Sequence, residues 1–252
     1  MNAPVPAAAL QPAPSADEAW RALHTTACAP YRASGRFAWH FAQGKLGRDP
    51  VFRGMLERGD LPAGARVVDI GCGQGLLASL LNAVDQVVRA GRWPAAWPAA
   101  PAGATYTGIE LMPKDVARAE RALKHLQPAP RFVCGDMRHT ELPACDVVVI
   151  LDVLHYVTHA EQEQVLTRVR QALQPHGKLL LRVGDAAARR GFVISQWVDR
   201  IVTMIRGHRV PPTFGRPLSE WIAVLQKLGF TVQPVPMSQG TPFANVLLVA
   251  QA

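Results

Sequence analysis

The chain has 252 residues, is 49% hydrophobic and carries a formal net charge of +8. This length and composition suit one large α/β domain, and the longest apolar runs are too short to cross a bilayer. The four cysteines are scattered without a C-x-x-C pair, which excludes an obvious disulfide framework or zinc site and favours a reducing cytoplasm. The basic residues are dispersed, which disfavours nucleic acid as a partner.

The chain begins with a Pro/Ala-rich stretch over residues 1–15, which we expect to be a disordered leader. It lacks the basic segment of a signal peptide, and prolines interrupt its apolar residues. Residues 16–60 have apolar residues at helical spacing and predict an N-terminal helical cap.

From residue 61 onward, strand and helix patterns alternate, which predicts a parallel sheet covered by helices. A proline at the first turn, Pro113, supports the second of these helices. The predicted strands cover residues 66–70, 105–110, 131–136, 146–153, 177–185, 231–237 and 245–250. The predicted helices cover residues 76–84, 113–126, 160–173, 192–206 and 217–230.

A proline- and alanine-rich stretch, residues 85–103, interrupts this alternation. We interpret it as a surface insertion between the first of these helices and the second strand. Its two tryptophans, Trp93 and Trp97, either cover a substrate or pack the loop onto the body of the domain.

A glycine-rich turn follows the first strand in the segment VVDIGCGQG, residues 67–75. Glycines at a strand-to-helix turn expose backbone N–H groups and let a ligand approach closely. The G-x-G-x-G spacing differs from the G-x-G-x-x-G of dinucleotide folds, which disfavours a nicotinamide cofactor. Asp69 precedes the turn; it either contributes to a ligand site or simply caps the turn.

An acidic residue, Glu110, ends the second strand. A carboxylate at this place can accept hydrogen bonds from both hydroxyls of a ribose, and it usually follows the glycine turn by about 20 residues. Glu110 lies 39 positions after Gly71, and removing the 19 residues of the insertion leaves 20. The spacing therefore favours a ribose-binding role over a merely solvated strand end.

The next two strands also end in distinctive segments, CGDM at residues 134–137 and ILDVLHYV at residues 150–157. Asp136 can accept from an exocyclic amine of adenine and Met137 can lie against the ring, although both could be ordinary loop residues. Ligands of open α/β sheets bind outside the carboxyl ends of the strands, so we expect the four segments to form one site.

This ordered set of motifs resembles the class I S-adenosylmethionine-dependent methyltransferases over roughly residues 60–185. The resemblance implies that residues 61–252 form a methyltransferase domain with one bound S-adenosyl-L-methionine. It also implies a Rossmann-like, doubly wound, seven-stranded and mostly parallel sheet with an antiparallel last strand, preceded by N-terminal helices. The stretch GKLGRDPVFRGML, residues 44–56, adds a resemblance to methyltransferases of bacterial aryl-polyene and fatty-acid-like pathways.

The resemblance also implies roles at the first two strand ends. Gly71 and Gly73 would pass under the methionine part and the ribose of the cofactor. Asp69 would hold the turn and the cofactor amine, and Glu110 would bind the ribose diol.

At the later strand ends, the resemblance implies contacts with the adenine and with the methionine end. Leu111 would border the adenine, and Asp136 and Met137 would hold it. Leu151, through its backbone, and Asp152 would lie near the methionine end.

The carboxylate of the cofactor needs a cation or a hydroxyl group, which in this family usually comes from an N-terminal helix. Tyr31, Arg36 and Lys45 are the candidates, and nothing in the sequence ranks them. Of the three, Arg36 is the residue that we predict to bind the carboxylate of the cofactor. No metal ligand is predicted.

His155, just beyond the fourth strand, is the predicted catalytic residue, because an imidazole can take a proton from an acceptor near neutral pH. The alternative is that His155 only packs or hydrogen-bonds within its loop. Tyr156, His159 and His40 are weaker candidates.

The fourth strand lacks the Asn/Asp-Pro-Pro-aromatic motif of base-amino methyltransferases, which favours a small-molecule or acyl-carrier-bound acceptor. Residues 186–217 combine apolar side chains and arginines and are interpreted as a helical acceptor-pocket insertion, suited to an aromatic or acyl group and to O- or C-methylation. That segment could equally be a helix packed on the body. An RNA methyltransferase and a non-catalytic S-adenosylmethionine-binding protein remain alternatives.

Overall fold

The fold is a single mixed sheet with helices on both faces, in a computed structural model that describes residues 14–184, 213–237 and 245–252. The strands are β1 (Arg66–Ile70), β2 (Thr105–Glu110), β3 (Arg131–Cys134), β4 (Cys145–Leu151), β5 (Leu173–Gly184), β6 (Thr231–Pro236) and β7 (Asn245–Gln251). The helices in this part of the chain are α1 (Ala16–Cys28), α2 (Arg36–Arg48), α3 (Pro50–Arg58), α4 (Leu76–Arg89), α5 (Pro113–Leu123), α6 (His159–Ala172) and α7 (Leu218–Lys227). Two 3₁₀ turns cover Ala29–Ser34 and Leu154–Tyr156.

The strand order in the seven-stranded sheet is β3-β2-β1-β4-β5-β7-β6. The pairs from β3 to β5 are parallel, and β7 runs antiparallel to both β5 and β6. The predicted fold class, a Rossmann-like sheet with an antiparallel last strand and N-terminal helices, is confirmed.

The central strands are buried on both faces, which is why they read as continuous apolar runs. On one face, Val67 and Val149 pack with residues of the N-terminal helices and of α4. On the other, Val68 and Ile150 pack with residues of α6 and α7 such as Trp221. The sheet therefore separates two cores, and its carboxyl edge stays available for a site.

The helix starts follow from local hydrogen bonding. α1 and α6 each begin with a capping box, in which Ser15 pairs with Glu18 and Thr158 with Glu161. α5 begins at Pro113, as predicted, because proline is tolerated in the first turn, where its missing N–H is not needed.

The predicted insertion is shorter than its sequence suggested, because α4 continues to Arg89. In the loop that follows, Trp97 is buried, the rings of Trp93 and Trp97 are 5.2 Å apart, and Trp93 Nε1 donates to the carbonyl of Pro98 at 2.9 Å. The N–H of Gly64 donates to the carbonyl of Ala102 at 2.8 Å, which places the loop beside the beginning of β1. The tryptophans therefore pack the loop onto the body, at the edge opposite the carboxyl ends of the strands.

Several predicted boundaries were too generous. The strand predicted over 131–136 ends at Cys134, the strand predicted over 146–153 ends at Leu151, and the helix predicted over 113–126 ends at Leu123. The fourth strand stops because Asp152 has a φ of 60°, in the left-handed region that breaks an extended chain. The predicted leader (except residues 14 and 15), the predicted helix over 192–206 and most of the predicted acceptor segment lie outside the described residues.

We expect Trp97→Ala to lower the free energy of unfolding by about 3 kcal/mol, because it empties a large buried volume. Urea unfolding measures this change. Ligand affinity at the carboxyl edge should stay unchanged, because the loop lies at the other edge. A loss of ligand affinity in a folded variant would contradict this placement.

Candidate functional site

The ends of β1, β2 and β3 are tied together at one edge of the sheet by backbone hydrogen bonds. The N–H of Gly71 donates to the carbonyl of Ile109 at 2.8 Å, and the N–H of Gly135 donates to the carbonyl of Glu110 at 2.9 Å. The end of β4 reaches β5 in the same way, since the N–H of Asp152 donates to the carbonyl of Arg182 at 3.4 Å. The structure thus brings the four predicted segments to one edge.

The three glycines of the turn after β1 all have positive φ, at 76° for Gly71, 55° for Gly73 and 72° for Gly75. Their surroundings differ. A Cβ atom on Gly71 would meet Val153 Cγ1 at 2.5 Å, and one on Gly75 would meet Phe132 Cζ at 2.7 Å, whereas one on Gly73 would meet nothing within 4 Å. Gly71 and Gly75 therefore permit protein packing, and Gly73 is the glycine that faces open space.

The carboxylate of Glu110 lies directly beside Gly73. Its Oε2 accepts from the N–H of Gly73 at 2.9 Å, and its Oε1 accepts from the N–H of Met112 at 2.9 Å. These two backbone hydrogen bonds fix the carboxylate at the end of β2. Leu111, which follows it, is 59% exposed and presents an apolar surface next to the acid.

Asp69 is buried behind the turn, where Tyr106 Oη donates to its Oδ2 at 2.7 Å. Burial raises the pKa of Asp69 to about 7; the hydrogen bond from Tyr106 opposes the rise, and the charge of Glu110 adds to it. The described contact of Asp69 is thus with β2, and its predicted roles at the turn and at the cofactor amine stay predictions. Sequence analysis missed Tyr106, and only its place on β2 opposite Val67 could have indicated it.

Asp136 is held by a neighbouring arginine. Arg138 donates to it from its backbone N–H at 2.9 Å and from Nη2 at 2.6 Å, and its Nη1 also reaches Glu161 at 2.8 Å. The side-chain hydrogen bond from Arg138 lowers the pKa of Asp136, so the carboxylate is ionised and can only accept. Met137 packs against the core on the α6 face.

Asp152 belongs to a four-charge cluster, defined as Lys45, Asp49, Asp152 and Arg182. Arg182 Nε donates to Asp152 Oδ1 at 2.8 Å, its Nη2 also contacts Asp152, and its Nη1 lies 2.5 Å from Asp49 Oδ1. Lys45 Nζ lies 2.7 Å from Asp49 and 3.7 Å from Asp152. Sequence analysis missed Asp49 and Arg182. The adjacent Leu151, which pairs with Arg182, is half-buried.

The three candidates for the cofactor carboxylate are placed differently. Tyr31 is fully buried, and its Oη donates to the carbonyl of Gln74 in the glycine turn at 2.9 Å. Lys45 is engaged in the four-charge cluster. Arg36 is exposed at the first turn of α2 and makes no ion pair within the described part of the chain.

His155 lies in the 3₁₀ turn that follows Asp152, and its carbonyl accepts from the N–H of Phe214 at 2.8 Å. Its ring is 4.2 Å from that of Tyr156. Burial lowers the pKa of His155 below its ordinary value, and the charge of Asp152 offsets part of the change. At neutral pH the imidazole is therefore uncharged and able to accept a proton.

Known proteins with a similar sequence or fold are methyltransferases and related enzymes that handle S-adenosylmethionine derivatives. Residues 68–181 match the model of a family described as a methyltransferase domain. The match covers 114 of the 252 residues, so this part of the chain is similar to methyltransferase domains. A curated relative, the carboxy-S-adenosyl-L-methionine synthase of Chromohalobacter salexigens, is 32% identical over 130 residues, which are 51% of this chain and 43% of that protein. The chain thus spans less than half the length of this relative.

Two solved methyltransferases share the fold. Human N-acetylserotonin methyltransferase in complex with SAM superposes with a TM-score of 0.56 at 18% identity, covering 94% of this chain and 65% of that one. Magnesium protoporphyrin IX methyltransferase from Synechocystis with bound SAH gives a TM-score of 0.56 at 17% identity, covering 93% of this chain and 98% of that one.

The cofactor of this class of methyltransferase domains is S-adenosylmethionine, and the residues at the carboxyl edge fit it. Gly73 leaves open space where a Cβ atom would stand. Beside it, the fixed Glu110 carboxylate suits a pair of hydroxyl groups, and the exposed Leu111 suits the face of a base. Asp136 is ionised, but its two oxygens already accept four hydrogen bonds from Arg138, so its contact with an exocyclic amine stays a prediction.

The described residues contain no group of three or more His, Cys, Asp and Glu side chains that could hold a metal ion. Within the same residues, none of the helices has both the length and the hydropathy that a membrane crossing requires.

We expect Gly73→Ala and Gly75→Ala to separate binding from folding in the methyltransferase domain. The new methyl group at Gly73 meets open space, so the variant should fold with only the modest strain of its positive φ and lose affinity for S-adenosylhomocysteine by about tenfold or more. At Gly75 the new methyl group would overlap with the ring of Phe132, so Gly75→Ala should lower the stability of the fold more than Gly73→Ala does. Calorimetric titration and thermal unfolding measure the two effects, and unchanged affinity in Gly73→Ala would move the cofactor away from this turn.

The raised pKa of Asp69 predicts a pH dependence of stability. In the folded protein Asp69 keeps its proton up to about pH 7, whereas its ordinary pKa is 3.8, so its contribution to stability falls as pH rises from about 4 to 7. Comparing the unfolding free energy of the natural protein with that of Asp69→Asn across this window isolates the effect. A pH-independent difference would show that the fold does not raise the pKa of Asp69.

Proposed function

We propose that this protein is an S-adenosylmethionine-dependent methyltransferase that acts on a small-molecule or carrier-bound acceptor, aromatic or acyl, at an oxygen or a carbon atom. The observation that carries the proposal is the fixed carboxylate of Glu110 beside the open face of Gly73, at the carboxyl edge of a methyltransferase sheet. Two structural neighbours of low identity, the methyltransferases of N-acetylserotonin and of magnesium protoporphyrin IX, support a small acceptor.

The cofactor, when bound, supplies an activated methyl group on a sulfonium. The residues of this chain then have two tasks. Glu110 and Asp136 hold the ribose and the adenine, which fixes the direction of the methyl group. His155, uncharged at neutral pH, accepts the proton that the acceptor oxygen or carbon loses as its electron pair forms the new bond to the methyl carbon. The bonding pair of the broken carbon–sulfur bond remains on sulfur.

We further propose that Asp152 and the backbone of Leu151 border the methionine end and that residues 186–217 form the acceptor pocket. Phe214, in the described part of that segment, is hydrogen-bonded to His155 and supports this proximity. A cytoplasmic location is proposed as well, because the chain's four cysteines are all free. Arg36 remains the proposed partner of the cofactor carboxylate.

We expect calorimetric titration to show micromolar binding of S-adenosylhomocysteine and no binding of NAD. Glu110→Gln should weaken this binding by about tenfold or more, because a charged hydrogen-bond acceptor is lost. Glu57→Gln, which changes a carboxylate that pairs with Arg53 on α3, serves as the matched control and should bind normally. If S-adenosylhomocysteine does not bind the natural protein, the proposal fails.

We expect incubation with methyl-labelled S-adenosylmethionine and cell extract to label the small-molecule or carrier-protein fraction. With the acceptor that this identifies, His155→Ala should keep cofactor affinity and cut turnover by about 10²–10⁴-fold. Label in total RNA would favour the RNA methyltransferase, and binding without transfer would favour the non-catalytic alternative. Mass spectrometric detection of carboxy-S-adenosylmethionine would assign the activity that the curated relative's name states.

A further inference from the structure

The four-charge cluster joins two parts of the chain that no element connects directly. Asp49 lies between α2 and α3, in the N-terminal cap, where it is also the N-cap residue of α3 and accepts from the N–H of Val51 at 3.1 Å. Asp152 lies at the end of β4 and leads into the 3₁₀ turn with His155. Arg182, on β5, contacts both carboxylates through different nitrogens of one guanidinium group.

Burial and opposite charges hold the side chains of the four-charge cluster firmly together. The side chain of Arg182 is 2% exposed and that of Asp49 is 10% exposed, so water screens their interaction weakly. Burial disfavours the charge on each carboxylate, but the attraction of Arg182 and Lys45 outweighs it and keeps the pKa values of Asp49 and Asp152 below the ordinary range. Two cations and two anions leave the cluster with no net charge.

Asp152 needs such a partner. Its φ of 60° is unfavourable for a residue with a side chain, and this conformation sets the direction in which the chain leaves β4 toward His155. Arg182 Nε and Nη2 each donate a hydrogen bond to one oxygen of the Asp152 carboxylate. A fork of this kind fixes orientation as well as distance.

We propose that Arg182 is a positioning residue that couples the N-terminal cap to the loop of residues 152–157 through the four-charge cluster. A change at Asp49, in the cap, then alters the loop that carries His155, although the two are far apart in the sequence. The importance of this coupling for methyl transfer rests on the proposed function. The coupling itself is a property of the unliganded protein.

Hydrogen–deuterium exchange of the unliganded Asp49→Asn variant tests the coupling. Asparagine is as good an N-cap residue as aspartate, so α3 keeps its cap while the charge is lost. We expect exchange to rise by about tenfold in residues 152–157 and at the α2–α3 junction, and to stay unchanged in β1 and β2. A uniform rise across the sheet would show a general loss of stability and would overturn the proposal.

The control is Glu57→Gln, which breaks a partly exposed ion pair with Arg53 on the same cap without touching the cluster. It should leave residues 152–157 unchanged. A rise in this control equal to that in Asp49→Asn would overturn the proposal, as would unchanged exchange of residues 152–157 in Asp49→Asn.

A second variant, Arg182→Lys, keeps the charge but loses the fork, so it should loosen the cap junction and the loop together. Loosening of only one of them would overturn the coupling. Titration of the natural protein with S-adenosylhomocysteine decides the proposed function separately, since the exchange experiment uses no ligand.

Discussion

The hydrogen bond from the Gly73 N–H to the Glu110 carboxylate is the interaction on which the site depends. It ties the turn after β1 to the end of β2, and the second oxygen of the same carboxylate receives the N–H of Met112. The carboxylate therefore sets the shape of two loops at once. This one anchor therefore joins the turn at Gly73 to the residues between β2 and α5.

Four carboxylates stand at or behind the ends of four strands, and the protein stabilises each in a different way. Glu110 receives backbone N–H groups, Asp136 is paired with Arg138, and Asp152 is held by Arg182 and Lys45. Asp69, which is buried and has a neutral tyrosine as its partner, keeps its proton up to about pH 7. The edge thus carries acceptor groups with limited excess negative charge, on a chain whose formal net charge is +8. That balance suits a cofactor with one positive sulfonium, several donors and its own carboxylate.

The alternation of strand and helix patterns was enough to predict a parallel sheet covered by helices, because it is a local signal. The seven strands and the antiparallel last strand were implied by the family resemblance. The spacing argument for Glu110 subtracted 19 residues, although α4 runs to Arg89 and the loop is shorter, so the firmer signal for Glu110 is its place at the end of β2. The partners of the acids could not be found this way. Arg182 is recognisable as a charged residue in an apolar strand, but no local pattern identifies its partner Asp49, which lies 133 positions away. The different roles of the three glycines could not be predicted either. Whether a glycine permits protein packing or faces open space depends on which side chains lie next to it in the fold.

The loop with Trp93 and Trp97 closes the edge of the sheet where β1 and β2 begin, about 17 Å from the site if five residues separate the two edges. Trp97 is buried against the body there, and the half-buried Trp93 packs beside it. The chain can therefore change in length there while the geometry at the other edge is kept. For an experimenter, this loop is a natural place to attach a fluorophore or a surface tether without touching the ligand-binding edge.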